Sequence, residues 1–255
     1  MIFDSHVHTA ASPDSEMPPE EAILILGKQG LGCIFTEHVD YSPSGEPFFC
    51  ADPEIYPRDY LKYRSESVKI GVELGLIAEC VEINRNFAAD KNYDYVLGSV
   101  HVTNYVDIGY DPDSFFKTGE ETFIQHLRYI LDMVKMNDFF DALGHIDYIS
   151  RYSPFPEEDH LYAKYADIYD EILKELISRD KLLEFNTKRI DQKLARDNLI
   201  TIYSRYKDLG GRYVTLGSDA HEAERLACNF DIAVDILNNI GLKPVYFEER
   251  RMKFC

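Results

Sequence analysis

Residues 2–8 read Ile-Phe-Asp-Ser-His-Val-His, a short apolar run that ends in two histidines one residue apart. In an extended strand alternate side chains share one face, so Asp4, His6 and His8 are expected to project together. A carboxylate beside two imidazoles suits a divalent metal, either as a ligand or as a group that orients an imidazole. We therefore expect the chain to open with a strand that delivers metal ligands.

Short apolar, β-branched runs alternate with longer amphipathic segments along the rest of the chain. The candidate strands are Ile2–His8, Gly32–His38, Val68–Leu74, Tyr95–His101, Phe139–His145, Lys181–Asn186 and Tyr213–Asp219. The candidate helices are Pro18–Gly30, Pro57–Ser67, Ala78–Asp90, Gly119–Lys135, Ala163–Arg179, Ala195–Gly210 and Glu222–Ile240. Repeated strand-then-helix units imply a parallel sheet, because each crossover returns the chain to the same edge. Such a sheet can close into a barrel or stay open and doubly wound.

The length and the absence of an internal boundary favour one α/β domain over residues 1–255. The chain has 255 residues, the usual size of one β/α barrel, and no internal repeat or Pro/Ser-rich linker. Two irregular segments, Tyr41–Tyr56 and Val102–Thr118, follow the second and fourth candidate strands. In a barrel they would lie at the C-terminal face, where active-site loops belong.

The charge and the cysteine content restrict the partners and the location of the protein. With 45 acidic against 27 basic residues, the formal net charge is −18. Such a surface repels nucleic acid and anionic membranes, so a small-molecule substrate is expected. The five cysteines follow no CxxC spacing, and Met1–His6 lacks the features of a signal peptide. No apolar run reaches the length of a membrane span, and we expect a cytoplasmic protein with reduced thiols.

The positions of the histidines carry the functional signal. Six of the eight lie at or directly after the ends of candidate strands: His6, His8, His38, His101, His145 and His221. The carboxyl ends of parallel strands meet at one face, so these six imidazoles are expected to converge there. Burying so many ionisable groups without a cation is costly, which favours a metal cluster over a buried polar network. The other two, His126 and His160, are expected to be surface or helix-packing residues.

Two acidic residues extend this pattern. Glu73 stands in an otherwise apolar strand, where a lone carboxylate would be badly placed unless it bridges metal ions. Asp219 precedes His221 by two residues, so the two side chains share one face of an extended segment. Taken with the histidines, these acids predict a cluster of divalent ions.

At these positions the sequence resembles the polymerase and histidinol phosphatase (PHP) superfamily, across essentially the whole chain. The motifs that are specific as a set are Asp-Ser-His-Val-His-Thr at 4–9, Gly-Ser-Val-His at 98–101 and Gly-Ser-Asp-Ala-His at 217–221. The chain length and the segments around His38, His101 and His145 are most similar to the monofunctional histidinol-phosphate phosphatases. The resemblance implies a distorted (β/α)7 TIM-like barrel and hydrolysis of L-histidinol phosphate in histidine biosynthesis.

The resemblance also implies three divalent metal ions. The first would be held by His6, His8, Glu73 and Asp219. The second would share Glu73 and add His101 and His145. The third would be held by Asp14, His38 and His221. In some relatives a histidine stands at the position of Asp14, and this oxygen ligand suits manganese or iron as well as zinc.

Such a cluster would hydrolyse a phosphate monoester without a covalent protein nucleophile. The expected nucleophile is a metal-bridging hydroxide held by the cluster near Glu73 and Asp219, since divalent ions lower the pKa of bound water. Phosphate oxygens outside the metal shell call for guanidinium groups. Arg151 and Arg189 lie just beyond strands and are the candidates, with Lys188 as an alternative to Arg189.

Other assignments are considered beside this one. The same fold could serve a phosphotyrosine phosphatase or a nuclease, although the negative charge disfavours nucleic acid. An amidohydrolase would need a metal-bridging lysine, for which Lys69 is the only strand candidate, and Glu73 fits the bridge better. A degenerate barrel without activity would have lost ligands, whereas every expected position here is filled.

The loop Tyr41–Tyr56 has two alternative interpretations. Its aromatic and acidic residues could cap a cationic substrate such as histidinol, or the loop could be a solvated connection. These residues include Phe48, Phe49, Asp52 and Glu54.

Overall fold

The computed structural model describes residues 1–52, 55–89, 92–118 and 121–255. The strands are β1 Phe3–Val7, β2 Gly32–Phe35, β3 His38–Tyr41, β4 Pro47–Cys50, β5 Val68–Gly75, β6 Tyr95–Ser99, β7 Val102–Thr103, β8 Val106–Asp107, β9 Ala142–Leu143, β10 Leu182–Asn186, β11 Tyr213–Gly217, β12 Lys243–Glu248 and β13 Arg251–Phe254. The α-helices are α1 Pro19–Lys28, α2 Val81–Ala88, α3 Pro112–Phe115, α4 Glu121–Met136, α5 Ala166–Ser178, α6 Lys193–Asp208 and α7 Phe230–Ile240. None of the helices in these ranges combines enough length with enough apolar character to cross a bilayer.

Seven parallel strands form the wall that carries the candidate site. Their order is β1-β2-β5-β6-β9-β10-β11, and each overlaps one of the predicted strands. The α/β class predicted from the sequence is therefore confirmed. Backbone hydrogen bonds join β1 to the segment after β11: His8 N donates to Ala220 O, and Asp219 N donates to His6 O, both at 2.9 Å. The sheet thus curves into a TIM-like barrel that is not fully closed. Among the described residues β1 and β11 do not pair as strands, and an isolated bridge between Val7 and Ala220 joins them near the C-terminal end.

A C-terminal hairpin, β12–β13, distorts the barrel at the opposite end. β12 pairs in parallel with the beginning of β11, where Tyr213 lies opposite Lys243, and β13 pairs antiparallel with β12. Val245 and Phe247 of β12 pack in one buried cluster with wall-strand side chains, namely Phe3, Ile34, Tyr95, Leu97, Ala142 and Leu182. The hairpin was not among the predicted elements, and it fills the N-terminal end of the barrel with apolar side chains.

A one-residue bulge in β1 decides which side chains face the metal ligands. Asp4 and Val7 align with Cys33 and Phe35, so three residues of β1 advance against two residues of β2. Because Cys33 and Phe35 share one face of β2, Asp4 and Val7 share that face too, and His6 lies on the other. The expectation that Asp4 projects together with His6 is therefore wrong.

Asp4 instead fastens β1 to the end of β11. Its two oxygens accept hydrogen bonds from Ser218 N at 2.9 Å, Ser218 Oγ at 2.6 Å and Ala227 N at 2.9 Å. Burial raises the pKa of Asp4 to about 6, although these hydrogen bonds oppose the shift. The residue is thus a buried acceptor at the barrel seam. It also accepts from His6 N at 3.4 Å, but among the described residues it belongs to none of the groups that could hold a metal ion.

The predicted helices differ from the observed ones mainly at their ends. The segment predicted as Pro57–Ser67 forms a 3-10 helix, Arg58–Tyr63, rather than an α-helix. The segment predicted as Glu222–Ile240 begins with a 3-10 helix, Ala223–Arg225, and becomes α-helical only at Phe230, because Ala227 and Asn229 have left-handed φ angles of 49° and 64°. Two other predicted ends, Asp90 and Gly119, lie outside the described residues.

The packing of β12 against the wall strands at the N-terminal end of the barrel yields a stability prediction. Phe247 is 7% exposed, so Phe247→Ala should lower the free energy of unfolding by about 3–5 kcal/mol through loss of burial and creation of a cavity. Phe254 on β13 is 64% exposed, and Phe254→Ala should cost less than about 1 kcal/mol. Urea unfolding of the two variants measures both changes. Equal losses would contradict the role given to β12.

Candidate metal centre

The candidate site lies at the C-terminal ends of the wall strands, beside a cavity of 590 Å³. Residues predicted as metal ligands line this cavity: Asp14, His38, His101, His145, Asp219 and His221. The remaining predicted ligands, His6, His8 and Glu73, are each 0% exposed and contact the lining residues. The structure therefore brings all nine predicted ligands together.

The first predicted ligand set has the spacing of a tetrahedral metal site. His6 Nε2 and His8 Nε2 are 3.0 Å apart, and Glu73 Oε2 lies 3.4 and 3.5 Å from them. Asp219 Oδ1 lies 3.9 and 3.8 Å from the same two nitrogens. Four ligand atoms at about 2.0–2.2 Å from one zinc ion are separated by about 3.3–3.6 Å, which these distances approximate.

The backbone of Asp219 helps to place its carboxylate in this set. The residue follows β11 directly and has a left-handed φ of 56°, which is unusual for a residue with a side chain. Its N–H is held by His6 O at 2.9 Å. The seam between the first and last wall strands therefore also aligns ligands that are more than 200 residues apart in sequence.

The second and third ligand sets are similarly compact. Glu73 Oε1 lies 3.3 Å from His101 Nε2 and 2.8 Å from His145 Nε2, and those two nitrogens are 3.4 Å apart. In the third set, Asp14 Oδ2 lies 3.6 Å from His38 Nε2 and 2.9 Å from His221 Nε2, and these nitrogens are also 3.4 Å apart. Each set offers three converging donor atoms to one cation.

Glu73 connects the sets, since its two oxygens face different imidazoles. Burial alone would raise the pKa of Glu73, but the imidazoles of His6, His38 and His101 hold it well below its usual value. The carboxylates act on His6 in return: burial would lower its pKa, but Glu184, Glu73 and Asp219 raise it well above the usual value. The carboxylates therefore favour positive charge on the imidazole nitrogens. A divalent cation bound to the same nitrogen atoms would supply that charge in place of protons.

Buried polar groups outside the ligand sets orient the imidazoles. Glu184 Oε1 lies 2.6 Å from His6 Nδ1, and Glu184 Oε2 accepts a hydrogen bond from His145 N at 2.8 Å. Asp40 Oδ1 lies 2.8 Å from His101 Nδ1. Such contacts fix which nitrogen of each ring faces a metal. Burial would raise the pKa of Glu184, but His6 lowers it below its usual value, so Glu184 stays a carboxylate.

These orienting groups were missed by the sequence analysis, although one signal was available. Glu184 stands in the apolar strand Leu182–Asn186 just as Glu73 stands in its own strand, and the same argument about a lone buried carboxylate applies to both. Ser12 Oγ, 3.2 Å from His8 Nδ1, lies in an irregular segment. Its position could not be read from a periodic pattern.

Arg151 lies at the cavity, where the sequence analysis placed a phosphate-binding group. Its Nη1 donates to Asp219 Oδ2 at 2.5 Å, and its guanidinium lies 5.4 Å from the ring centre of Tyr148. Among the described residues, none accepts a hydrogen bond from Arg151 Nε or Nη2, although the side chain is only 9% exposed. Two guanidinium donors of this cavity-lining residue thus have no hydrogen-bond acceptor among the described residues.

Lys188 and Arg189 occupy different positions, although they are neighbours in sequence. Lys188 lines the cavity, and its Nζ donates to Asp219 O at 3.2 Å and to Asp219 Oδ1 at 3.3 Å. Arg189 does not line the cavity; its Nη1 donates to Asp147 Oδ2 at 3.1 Å and its Nη2 donates to Glu157 Oε2. The geometry thus favours Lys188, the alternative considered from the sequence, as the second basic group of the site.

The other residues singled out from the sequence lie away from the ligand sets. His126 is buried on α4, where its Nδ1 lies 2.9 Å from Thr103 Oγ1 and burial lowers its pKa to about 3. His160 is also buried, with its ring 4.4 Å from that of Phe123. Lys69 pairs with Glu248 of the C-terminal hairpin, so the lysine that an amidohydrolase would need at the metal site is at the other end of the barrel.

Comparisons with known proteins show the family to which the chain is similar. A model of the PHP domain family matches residues 4–188. The chain is 42% identical to a probable histidinol-phosphatase of Clostridium acetobutylicum over the full length of both chains. It is 32% identical to a histidinol-phosphatase of Lactococcus lactis, over 88% of this chain and 85% of the relative.

A solved structure is similar to the whole chain. It is the crystal structure of histidinol phosphate phosphatase from Lactococcus lactis, in complex with zinc, L-histidinol and phosphate. The TM-score is 0.89 at 29% sequence identity, with 99% of this chain and 98% of the other covered.

The contacts of Glu184 predict a specific effect on metal binding. Glu184→Gln keeps the size of the side chain but removes the charge that faces His6 Nδ1, so zinc affinity should fall by about 10–100-fold. Competition with a chromophoric chelator measures the affinity. The same substitution at Glu171, an exposed residue of α5, should leave it unchanged. Equal affinities for both variants would show that Glu184 does not support the metal ligands.

Proposed function

The chain belongs to the PHP domain family and, within it, to the histidinol-phosphatases, and from this membership we propose that it hydrolyses L-histidinol phosphate to L-histidinol and orthophosphate. The observation that carries the proposal is the meeting of nine potential metal ligands with the unpaired donors of Arg151 at one cavity. The similar structure from Lactococcus lactis, which is complexed with zinc, L-histidinol and phosphate, supports it. The reaction belongs to histidine biosynthesis.

We assign three divalent cations, zinc, iron or manganese, to the three ligand sets. The first set is His6, His8, Glu73 and Asp219, the second is Glu73, His101 and His145, and the third is Asp14, His38 and His221. When bound, the ions supply water of lowered pKa and positive charge close to the phosphoryl oxygens. The donor atoms fit this assignment, since imidazole and carboxylate ligands suit all three metals.

Two carboxylates give the site its geometry. Glu73 directs its Oε1 toward His101 and His145 and its Oε2 toward His6 and His8, so it fixes the separation of the first two ligand sets. Asp219 faces His6 and His8 through Oδ1 and accepts from Arg151 through Oδ2. Asp219 therefore sets the position of the Arg151 guanidinium, the proposed phosphate-binding group, relative to the metal ligands.

The basic side chains orient the phosphate group. The unpaired Nε and Nη2 of Arg151 match the two-pronged acceptor geometry of a phosphate ester. Lys188 Nζ, held by Asp219, adds a second positive charge on the same side of the cavity. These donors stabilise charge that grows on the phosphoryl oxygens as the ester bond breaks, because they are already in place before the reaction.

The remaining cavity wall suits a cationic aromatic leaving group. Asp107 lines the cavity together with the aromatic rings of Phe49, Tyr110, Tyr148 and Tyr152. An ammonium group is attracted by both carboxylates and ring faces, and an imidazole packs against rings. The loop that the sequence analysis proposed as a cap contributes Phe48 and Phe49 to this wall, while Glu54 lies outside the described residues.

We also propose that residues 1–255 act as one phosphoesterase unit. The family model ends at residue 188, but Asp219 and His221, beyond that point, belong to the first and third ligand sets.

A cytoplasmic location completes the proposal, and the five free cysteines support it, since reduced thiols persist there.

The substrate assignment predicts strong discrimination. Metal-loaded protein should release phosphate from L-histidinol phosphate with a kcat/KM at least about 100-fold higher than from phosphotyrosine. The deamino analogue of L-histidinol phosphate should also react poorly, because it has no ammonium group to pair with Asp107. A chelator should abolish all turnover. Steady-state phosphate release measures these rates. Equal rates on all three esters would refute the substrate, though not the phosphatase activity.

The free donors of Arg151 predict a large effect of their removal. Arg151→Ala should lower kcat/KM for L-histidinol phosphate by about 100-fold or more, as expected for the loss of a preorganised donor at developing charge. Arg212, an exposed residue at the N-terminal end of β11, is the matched control, and Arg212→Ala should leave kcat/KM unchanged. If both substitutions change kcat/KM by a similarly small factor, Arg151 does not bind the phosphate group.

A further inference from the structure

Arg189 is a buried cation whose contacts lie behind the cavity rather than in it. The residue is 6% exposed, and its two terminal nitrogens donate to Asp147 and Glu157. Glu157 also lies 3.7 Å from His160 Nδ1. A direct contact with phosphate would require Arg189 to leave the buried Asp147 and the partly buried Glu157, whose side chain is 20% exposed, without their shared partner. This is costly because Asp147 lies in a low-dielectric interior.

The two carboxylates bracket the segment that carries Arg151. Asp147 directly precedes the 3-10 helix Tyr148–Arg151 and caps it through its carbonyl, which accepts from Ser150 N at 2.9 Å. Glu157 begins the next 3-10 helix, Glu157–His160. Arg189 thus holds both ends of an eleven-residue stretch, from 147 to 157, that has Arg151 near its middle.

Arg189 is itself fixed to the barrel wall. It follows β10 in a loop where Thr187 N donates to Gly217 O at 2.9 Å and Thr187 Oγ1 donates to Cys228 O at 2.7 Å. The carbonyl of Arg189 accepts from Gln192 N at 3.0 Å at the start of α6. Its guanidinium fork therefore transfers the rigidity of β10 and β11 to the segment that holds Arg151.

We propose that Arg189 is a positioning residue, which sets the place of Arg151 by clamping Asp147 and Glu157 and does not touch the phosphate. The inference deepens the proposed function, because it concerns the residue that would bind the phosphoryl group. Two carboxylates held by one planar fork explain the choice of arginine, since a lysine ammonium at the same place reaches one acceptor well and the other poorly. The phosphate contact expected for Arg189 from its sequence position is thereby reassigned to Lys188.

A double-substitution cycle tests this inference. The variants are Arg189→Lys, Arg151→Ala and the combination, each loaded with zinc and titrated calorimetrically with inorganic phosphate. Arg189→Lys should weaken phosphate binding by about tenfold when Arg151 is present and by less than about twofold when Arg151 is absent, because its effect passes through Arg151. kcat/KM for L-histidinol phosphate should follow the same pattern.

A second variant separates the clamp from a direct contact. Glu157→Gln removes one half of the clamp and leaves Arg189 in place, so it should reproduce the loss in phosphate affinity and again have little effect in the Arg151→Ala background. If Arg189 touched the phosphate, freeing it from Glu157 would leave the affinity unchanged or raise it. Glu158→Gln, at an exposed neighbour, is the control and should have no effect.

The outcomes are distinguishable from one another and from a failure of the proposed function. If Arg189→Lys lowers phosphate affinity equally with and without Arg151, the inference is overturned. It is also overturned if the substitution leaves the affinity unchanged in both backgrounds. If Arg189→Lys does not fold, the cycle with Glu157→Gln decides in the same way. A protein that binds phosphate with the expected coupling but hydrolyses no L-histidinol phosphate would refute the substrate and leave the clamp standing.

Discussion

The carboxylate of Glu73 is fully buried in a barrel strand, with imidazoles of different strands close to both of its oxygens. An isolated charge at such a place would be prohibitively unfavourable, so the fold around it must bring positive charge or a cation to the same point. Parallel strands do this because their carboxyl ends share one rim, and each can end in a ligand. The histidines at the ends of several wall strands are thus arranged around one buried anion.

The two ends of the barrel meet opposite demands. At the C-terminal end, polar side chains are buried at considerable cost and held by neighbours such as Glu184 and Asp40. At the N-terminal end, the β12–β13 hairpin fills the interior with aromatic and aliphatic groups, and Tyr95 lies 5.4 Å from Phe247 between ring centres. The apolar end adds burial energy to that of the main hydrophobic core, and both help to offset the cost of the buried charges. Stability and chemistry are therefore separated along the barrel axis.

The regular parts of the fold and the ligands at strand ends could be predicted from the sequence, because alternation and parallel topology both follow simple periods. Asp4 was misplaced because a single inserted residue in β1 reverses that alternation, and no composition signal marks it. Glu184 could have been found with the argument used for Glu73. The choice between Lys188 and Arg189 depends on side-chain directions in an irregular loop, where no period applies. The C-terminal hairpin was not predicted because its strands, Lys243–Glu248 and Arg251–Phe254, include Pro244 and several charged residues.

The seam between β1 and the segment after β11 has a consequence for how the protein is made. His6 and His8 are translated more than 200 residues before Asp219 and His221, and the hairpin at 243–254 follows later still. A nascent chain thus carries His6 and His8 before it carries Asp219, which completes their ligand set, or the β12–β13 hairpin, which fills the N-terminal end of the barrel. Metal uptake at the full cluster requires a chain translated at least to His221, and loss of the residues from 219 to 254 would remove structure at both ends of the barrel at once.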